Sequence, residues 1–545
     1  MRGLMMDVPL SVSSILRHAA AYHGETEIVS RLADGDIHRT TYAATWARSQ
    51  QLANGLVRLG LTAGDRIGTL AWNSFRHLEV YFSTAGAGFV CHTINPRLFP
   101  EQIAYIINHA ADRVLFVEPG FLGLLEAIAD KLGKVEAIVV MTDRGNMPAG
   151  PSKFAKVICF EELLAREPAV FDWPVLDENT AAALCYTSGT TGDPKGVLYS
   201  HRSIVLHAMS ACMPDVFALG AGSVVMAVVP MFHVNAWGLP YAAPMCGAKL
   251  VLPGAKLDPE SLHDLIATER VTHSAGVPTV WMALLDWIDA KAKTFGLLKR
   301  VVIGGSACPP AMFARFRDHG VFVLHAWGMT ETSPLGLVNS PKANSATRSP
   351  AEAVAFSAKQ GRPLFGIQYR IVDADDNEIA HDGVAFGSLL VRGPWVAASY
   401  SGSSESVAHR PDGWFETGDV VTMDADGYVQ VVDRTKDVIK SGGEWISSIE
   451  LENIAVSHPA VREAAVVAKP DARWGERPLL VVIRRPGADL SEPDLLAHYE
   501  GKVARWCVPD SVVFVEELPH TATGKLLKSR IRELYAAAAQ PDRRK

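Results

Sequence analysis

The 545-residue chain is 48% hydrophobic and 20% charged, long enough to bury large cores and to divide into at least two domains. Its 52 basic and 59 acidic residues leave a formal charge of −7, which argues against nonspecific binding to nucleic acid or an anionic membrane. Seven cysteines stand singly without metal-ligand spacing, so no disulfide framework or zinc site is expected, and a reducing, cytoplasmic setting fits best. No leader is expected at the N-terminus, and no run of the ~18 apolar residues needed to span a bilayer occurs.

Along the chain, Trp46, Leu52, Leu56 and Leu59 recur near helical spacing, and a turn over 60–64 leads into the strand-like stretch 66–71. The alternation returns as a helix over 102–108 before a strand over 114–117, and as a helix over 259–268 before a strand over 271–275. The short apolar run ending near Pro230 reads as a buried strand. Helices alternating with short apolar strands predict an α/β fold with largely parallel sheets. Residues 340–361, rich in Ser, Ala, Pro and Lys, lack a period and are expected to form a loop or a partly ordered connection. Strands over 366–372 and 384–391 then suggest a β-rich subdomain. The clearest boundary lies near Asp433 to Asp437, dividing a large N-terminal domain, 1–435, from a compact α+β C-terminal domain, 436–545.

The most telling local feature is Tyr186-Thr187-Ser188-Gly189-Thr190-Thr191-Gly192-Asp193-Pro194-Lys195-Gly196, which follows the apolar run 181–185. Glycines let backbone N–H groups approach an anion, hydroxyls add donors, and Lys195 adds a compact positive charge, a combination suited to polyphosphate. The spacing is not that of a Walker A loop, and a surface turn has the same composition.

The order of this loop resembles the phosphate loop of the adenylate-forming superfamily, which includes acyl-CoA synthetases, adenylation domains and luciferases. Further segments match in type and order through nearly the whole chain: His325-Ala326-Trp327-Gly328-Met329-Thr330-Glu331-Thr332, Trp414-Phe415-Glu416-Thr417-Gly418-Asp419, Asp433-Arg434 and Thr521-Ala522-Thr523-Gly524-Lys525. The wording at Pro230-Met231-Phe232-His233-Val234-Asn235-Ala236-Trp237 and Gly442-Gly443-Glu444-Trp445 is most similar to the fatty acyl-CoA ligase branch, which includes methylmercaptopropionate ligases.

The resemblance implies an ATP-dependent acid–thiol ligase that forms an acyl-adenylate on Mg²⁺-ATP and passes the acyl group to CoA. It implies Glu331 and Thr187 as metal contacts, Thr330 on phosphate, and Trp327, Gly328 and Met329 around the adenylate. Asp419 would hold the ribose with Arg434 as companion, and Lys440 and Trp445 would reach the nucleotide. Lys525 would be a catalytic lysine carried on a mobile C-terminal domain that turns about a hinge at Lys436. Gly304, Gly305, Gly328, His233, Val234 and Trp237 would border the acid, with His233 near its carboxylate and Trp237 closing the acyl tunnel. His233 and Trp237, four apart, would share a face if their segment is helical, and a core aromatic pair has the same spacing.

An aliphatic acid is expected, with short to medium chains or methylmercaptopropionate ranked above long chains. A carrier-dependent acyl-AMP ligase, a luciferase-like oxygenase and a noncatalytic nucleotide-binding protein share these motifs in whole or part. A homodimer fits the resemblance without a legible interface.

Overall fold

A computed structural model describes residues 1, 3–149, 152–187, 193–306, 308–343, 348–402, 406, 408–442, 444–520 and 526–536. Two sheets, parallel apart from their edges, form the bulk of the chain. The first runs Val157–Cys159, Ala137–Val140, Val114–Val117, Arg66–Leu70, Val90–Thr93 and Ala181–Tyr186, all parallel, and ends in the antiparallel Gly196–Ser200. The second has a parallel centre of Glu27–Arg31, Lys249–Leu252, Val224–Ala227, His273–Gly276, Arg300–Ile303 and Phe322–Gly328. Ile37–Thr41 closes one edge antiparallel, and Leu335–Val338 with Arg362–Pro363 closes the other. Strands such as Val114–Val117 and Ala137–Val140 are buried throughout, as continuous apolar strands covered on both faces should be.

The helix Phe75–Gly86 is buried at every residue except Arg76, and its side chains join one continuous core with those of both sheets. A helix buried on nearly every side needs its polar groups paired, and His77 bonds to the Thr69 hydroxyl while the Ser83 and Thr84 hydroxyls donate to carbonyls one turn back. Its one buried carboxylate, Glu79, is held by the Arg48 guanidinium at 2.6 Å.

Gln368–Val372, Phe386–Arg392, Phe415–Met423 and Val429–Arg434 form the expected β-rich subdomain as an antiparallel sheet. Beyond Arg434, the long hairpin Val461–Asp471 with Gly475–Arg484 anchors a mixed sheet that adds Ile439–Ser441, Glu444–Ile446 and Ser511–Phe514. Among the described residues no helix is long and apolar enough to cross a membrane.

Two expectations need correction. Residues 340–361 are not a plain loop, because Pro350–Ala358 is helical. Ser349 and Glu352 cap it reciprocally, and Pro350 opens it with a preset φ and no N–H to satisfy. The second correction concerns Val234–Gly238, which is not a right-handed helix. Val234, Asn235, Ala236 and Trp237 have φ of 46°, 48°, 48° and 55°. Left-handed backbone costs roughly 1–2 kcal/mol for each residue with a Cβ, so the packing around this turn must over-determine it.

Candidate active site

A cavity of about 640 Å³ opens along the C-terminal edges of both parallel sheets, where open α/β sheets place their ligands. Trp72 and Asn73 follow the strand Arg66–Leu70, Thr187 follows Ala181–Tyr186, and Val228 to Pro230 follow Val224–Ala227. Gly304 and Gly305 follow Arg300–Ile303, and Trp327 to Glu331 lie at the end of Phe322–Gly328. The subdomain contributes Phe415 to Gly418 and Arg434, and the last wall is Thr435, Lys436, Asp437 and Leu526.

Thr187 and Lys195 clasp the base of the glycine-rich loop. The Thr187 N–H donates to the Lys195 carbonyl at 2.9 Å, and the Lys195 N–H donates to the Thr187 hydroxyl at 3.1 Å. Ser188, Gly189, Thr190, Thr191 and Gly192 lie outside the described residues. The Lys195 ammonium stands 4.8 Å from the Tyr400 ring centre, and the Tyr400 hydroxyl donates to Glu331 Oε1 at 2.6 Å. Burial, with the Glu331 charge beside it, pushes the Tyr400 phenol up, so it remains a donor. The Thr330 carbonyl accepts from the Tyr199 hydroxyl at 2.6 Å, and the Glu331 carbonyl accepts from the Ala397 N–H at 2.7 Å. One cation, one carboxylate and two hydroxyls thus meet at one end of the cavity.

Where the subdomain meets the cavity, Asp419 is 2% exposed, just beneath the wall. Its carboxylate accepts from Arg434 Nε at 2.6 Å and from the Trp327 indole N–H at 2.8 Å. Trp327 therefore keeps a hydrogen-bonding role as well as a flat face. That face rests on Gly336, where an added Cβ would lie 2.6 Å from the ring. Gly328 is equally constrained, since a Cβ there would lie 1.8 Å from the Pro334 carbonyl oxygen, while the Met329 N–H donates to that carbonyl at 3.1 Å.

Another part of the cavity is aromatic and aliphatic: Trp72, Phe232, Val234, Trp237, Val277 and Val280 line it, with His233 beside them. The Trp237 indole lies against Gly304 and Gly305, about 3.5 and 3.7 Å from where their Cβ atoms would stand. Asn73 fixes the approach to this segment by donating to the Ala227 and Val229 carbonyls at 2.7 and 2.8 Å while accepting from the Met231 N–H at 2.7 Å. The Arg97 guanidinium, 5.4 Å from the Trp72 ring and 5.7 Å from Phe232, places a positive charge on the same wall.

Sequence reasoning missed Tyr400, Asn73 and Arg97. Tyr400 lies in no motif, whereas Asn95-Pro96-Arg97 and Trp72-Asn73, each just past a strand, were legible as strand-end positions. In the other direction, Lys440 and Trp445 do not line the cavity: Trp445 stacks on Phe386 at 5.2 Å, with the Lys440 ammonium 5.6 Å from its ring. Lys525 lies outside the described residues, but its neighbour Leu526 lines the cavity. The segment after it is tied back to the boundary strand. Lys528 pairs with Glu452 at 2.8 Å and donates to Ser448, which donates to Asp433, and Arg532 pairs with Asp437 and donates to the Lys436 carbonyl.

The donors at the Glu331 end suit a hard cation such as Mg²⁺. A carboxylate and a hydroxyl are its preferred protein ligands, and it draws most of its shell from phosphate and water. Among the described residues no cluster of three or more His, Cys, Asp or Glu could cage a metal.

The chain is 52% identical over 539 residues to a 3-methylmercaptopropionyl-CoA ligase of Ruegeria lacuscaerulensis, covering 99% of each. It is 48% identical over 536 residues to a medium-chain-fatty-acid–CoA ligase of Ectopseudomonas oleovorans, covering 98% of each. The solved anthranilate CoA ligase AuaEII, in complex with anthranoyl-AMP, superposes with a TM-score of 0.86 at 27% identity, covering 98% of this chain and 99% of that one. The family model of AMP-binding enzymes matches residues 16–401, and that of the AMP-binding enzyme C-terminal domain matches 450–525. With these models spanning most of its length, the chain belongs to the family of AMP-binding enzymes.

Proposed function

We propose that the protein is an ATP-dependent carboxylate–CoA ligase that acts through an acyl-adenylate and releases AMP and pyrophosphate. The observation that carries this is a single cavity joining the Thr187–Lys195 clasp and Glu331 at one end, Asp419 and Arg434 at another, and an apolar slot closed by Trp237. Relatives named as CoA ligases at 52% and 48% identity over nearly the full chain support the same reading.

In this mechanism the carboxylate of the acid attacks the α-phosphate of ATP, and the pyrophosphate oxygen leaves with the bond electrons. Lys195 offsets phosphate charge, and the Thr187 hydroxyl faces the same loop. Glu331 and Thr187 would hold Mg²⁺, which neutralises charge on the phosphate oxygens when bound. Asp419 accepts from the ribose hydroxyls while keeping Trp327 and Arg434 in place. His233 borders the carboxylate, and Gly304, Gly305 and Gly328 let backbone pass close to the adenylate. Lys525 meets the charge that builds as two anions join, where a cation stabilises the transition state more than the ground state. In the second half-reaction the CoA sulfur attacks the acyl carbon, the thiol proton leaves, and AMP departs with its bonding pair. We place the division at 435/436 and the hinge at Lys436, whose turning withdraws Lys525 and brings Lys440 and Trp445 toward the nucleotide.

The acid we assign is aliphatic, short to medium in chain or a thioether acid such as methylmercaptopropionate, because Trp237 closes the apolar slot against Gly304 and Gly305. A cytoplasmic setting, where ATP and CoA are supplied, and a homodimer belong to the same proposal. The deciding assay is CoA-dependent AMP release from MgATP with methylmercaptopropionate, butyrate, octanoate, palmitate and an aromatic acid. Lys525→Ala then separates the half-reactions: adenylate formation should fall sharply while thioester formation from supplied acyl-adenylate persists. Equal loss of both contradicts the assigned role.

A further inference from the structure

One side chain touches both charges at the Glu331 end of the cavity. Tyr400, 8% exposed, presents its ring to the Lys195 ammonium at 4.8 Å and its hydroxyl to Glu331 Oε1 at 2.6 Å. A ring face attracts a cation and a phenol donates to a carboxylate, so each charge has Tyr400 as a partner. Among the described residues no ion pair joins Lys195 to Glu331 directly.

The backbone around Tyr400 is anchored to the segments that carry both charges. The Ala397 N–H donates to the Glu331 carbonyl at 2.7 Å, and the Ser401 N–H donates at 2.8 Å to the carbonyl of Gly196, the residue after Lys195. Gly196 leaves room for that approach, since a Cβ there would lie 3.3 Å from the Ser401 Cβ and 3.1 Å from the Tyr186 ring. His409 braces the same strap. Its Nε2 donates to the Ala397 carbonyl at 3.1 Å, and its ring meets that of Tyr400 at 84°, with centres 5.0 Å apart.

We propose that Tyr400 is a positioning residue that spaces Lys195 from Glu331, so that neither charge neutralises the other before nucleotide and Mg²⁺ arrive. A direct ion pair would withdraw the cation from phosphate and the carboxylate from metal in one step. With the ring between them, Lys195 trades an exposed cation–π contact, worth little, for a phosphate oxygen, and Glu331 keeps one oriented oxygen. This rests on the reading of Lys195 as a phosphate contact and Glu331 as a metal contact.

The test is calorimetric titration of the full chain with α,β-methylene-ATP, whose α–β link cannot be cleaved, in EDTA and at graded Mg²⁺. In EDTA, Tyr400→Leu should weaken nucleotide binding about fivefold, the upper end for an exposed ion pair, but by less than about twofold where Glu331→Gln is already present. That dependence on the Glu331 charge is what a merely structural role would not give. Tyr400→Phe keeps the ring and frees the carboxylate: it should weaken binding about twofold in EDTA, an effect that Glu331→Gln cancels, and half-saturation should need about threefold more Mg²⁺. Should Tyr400→Leu not fold, Tyr400→Phe with and without Glu331→Gln carries the test. Equal weakening in both backgrounds overturns the spacer. If Lys195→Met weakens binding in EDTA and the Tyr400 variants do not, the spacer falls and the phosphate reading stands. If Glu331→Gln alone leaves the Mg²⁺ dependence of binding unchanged, the metal reading falls, while a loss in EDTA that depends on Glu331 still carries the spacer.

Discussion

Asp419→Asn removes a charge without changing volume, and the geometry sets the size of its effect. Oδ1 accepts from Arg434 Nε at 2.6 Å and Oδ2 from the Trp327 indole at 2.8 Å. An amide has one acceptor atom, so its NH₂ must face either the guanidinium or the indole N–H, leaving a donor opposed to a donor at a site 2% exposed. An unsatisfied buried polar group costs about 1–3 kcal/mol, and charge-assisted bonds lie at the upper end. The Arg434 side chain is 41% exposed, so water compensates part of that half. The Trp327 side, 8% exposed, has no such relief. That loss of about 2–3 kcal/mol falls on folding in free and bound protein alike, whereas ATP affinity loses the charge-assisted bonds to the ribose, about 1.5–3 kcal/mol, which at 1.4 kcal/mol per decade raises the apparent ATP Kd by about 10- to 150-fold. Trp327→Phe keeps an aromatic face and removes one donor, so it should cost about fivefold at most. Pyrophosphate release as a function of ATP at saturating acid measures both, with thermal unfolding as the control for folding. An ATP KM within about threefold of the parent for Asp419→Asn, or a larger effect from Trp327→Phe, would refute the assignment of Asp419 to the nucleotide.

Gly304→Ala places a Cβ 2.6 Å from the Ala326 carbonyl oxygen, so the backbone at the acyl wall must shift; kcat/KM for the acid should fall at least about tenfold in steady-state assays while the fold survives. Glu331→Gln keeps an oxygen for Tyr400 but loses the charge. Half-maximal adenylation should require about tenfold more Mg²⁺, and an unchanged Mg²⁺ titration would remove Glu331 from the metal site. Burial lowers the His207 imidazole to about 4, below its unfolded value near 6.5, and its Nε2 accepts from the Leu335 N–H at 3.3 Å. The folded state thus favours the neutral ring: the contribution is fully present above pH ~6.5 and is lost as pH falls toward 4, by up to about 1.4 kcal/mol per unit. His207→Gln should therefore flatten the decline in Tm between pH 7 and pH 5, and an identical slope in both proteins would show that His207 does not drive it.

Regular elements were legible where local and tertiary preferences agree. The helix Pro259–Thr268 has a proline start, an Asp258 cap and an apolar stripe of Leu262, Leu265 and Ile266, all of which its sequence shows. Pro350–Ala358 carried the Ser-x-x-Glu cap signal at Ser349 and Glu352, but its flanks of Ser, Pro and Lys concealed it. The turn at Val234–Trp237 was not legible by any local rule. The spacing of His233 and Trp237 suits a right-handed helix, and the left-handed backbone is imposed by contacts such as Asn235 with Cys185, which no window along the chain contains. Tyr400 is hidden for the same reason: it reaches Glu331 from 69 residues downstream and belongs to no motif. Glycine positions carried more, because Gly328 and Gly304 abut backbone oxygens at distances that admit no side chain.

The distribution of wall residues bears on how one cavity serves two reactions. Of the described residues beyond Thr435, Lys436, Asp437 and Leu526 line the cavity, whereas its aromatic and glycine surfaces come from earlier in the chain. If the later part turns about Lys436, as proposed, these described wall residues would move while Trp237, Gly304, Arg434 and Glu331 would stay. An adenylate formed in the first closure would remain held during the second. The ties that cross Lys436 include those of the Ser448 hydroxyl and N–H to the buried Asp433 carboxylate and of the Ser447 hydroxyl to the Val432 carbonyl. Val432 and Asp433 lie just before Lys436, so both ties act on the same short stretch. A hinge at Lys436, as proposed, would leave both flanking cores intact, since those around Leu389 and Val421 and around Ile439 and Val466 are separate clusters, while Trp445 would leave its stack on Phe386.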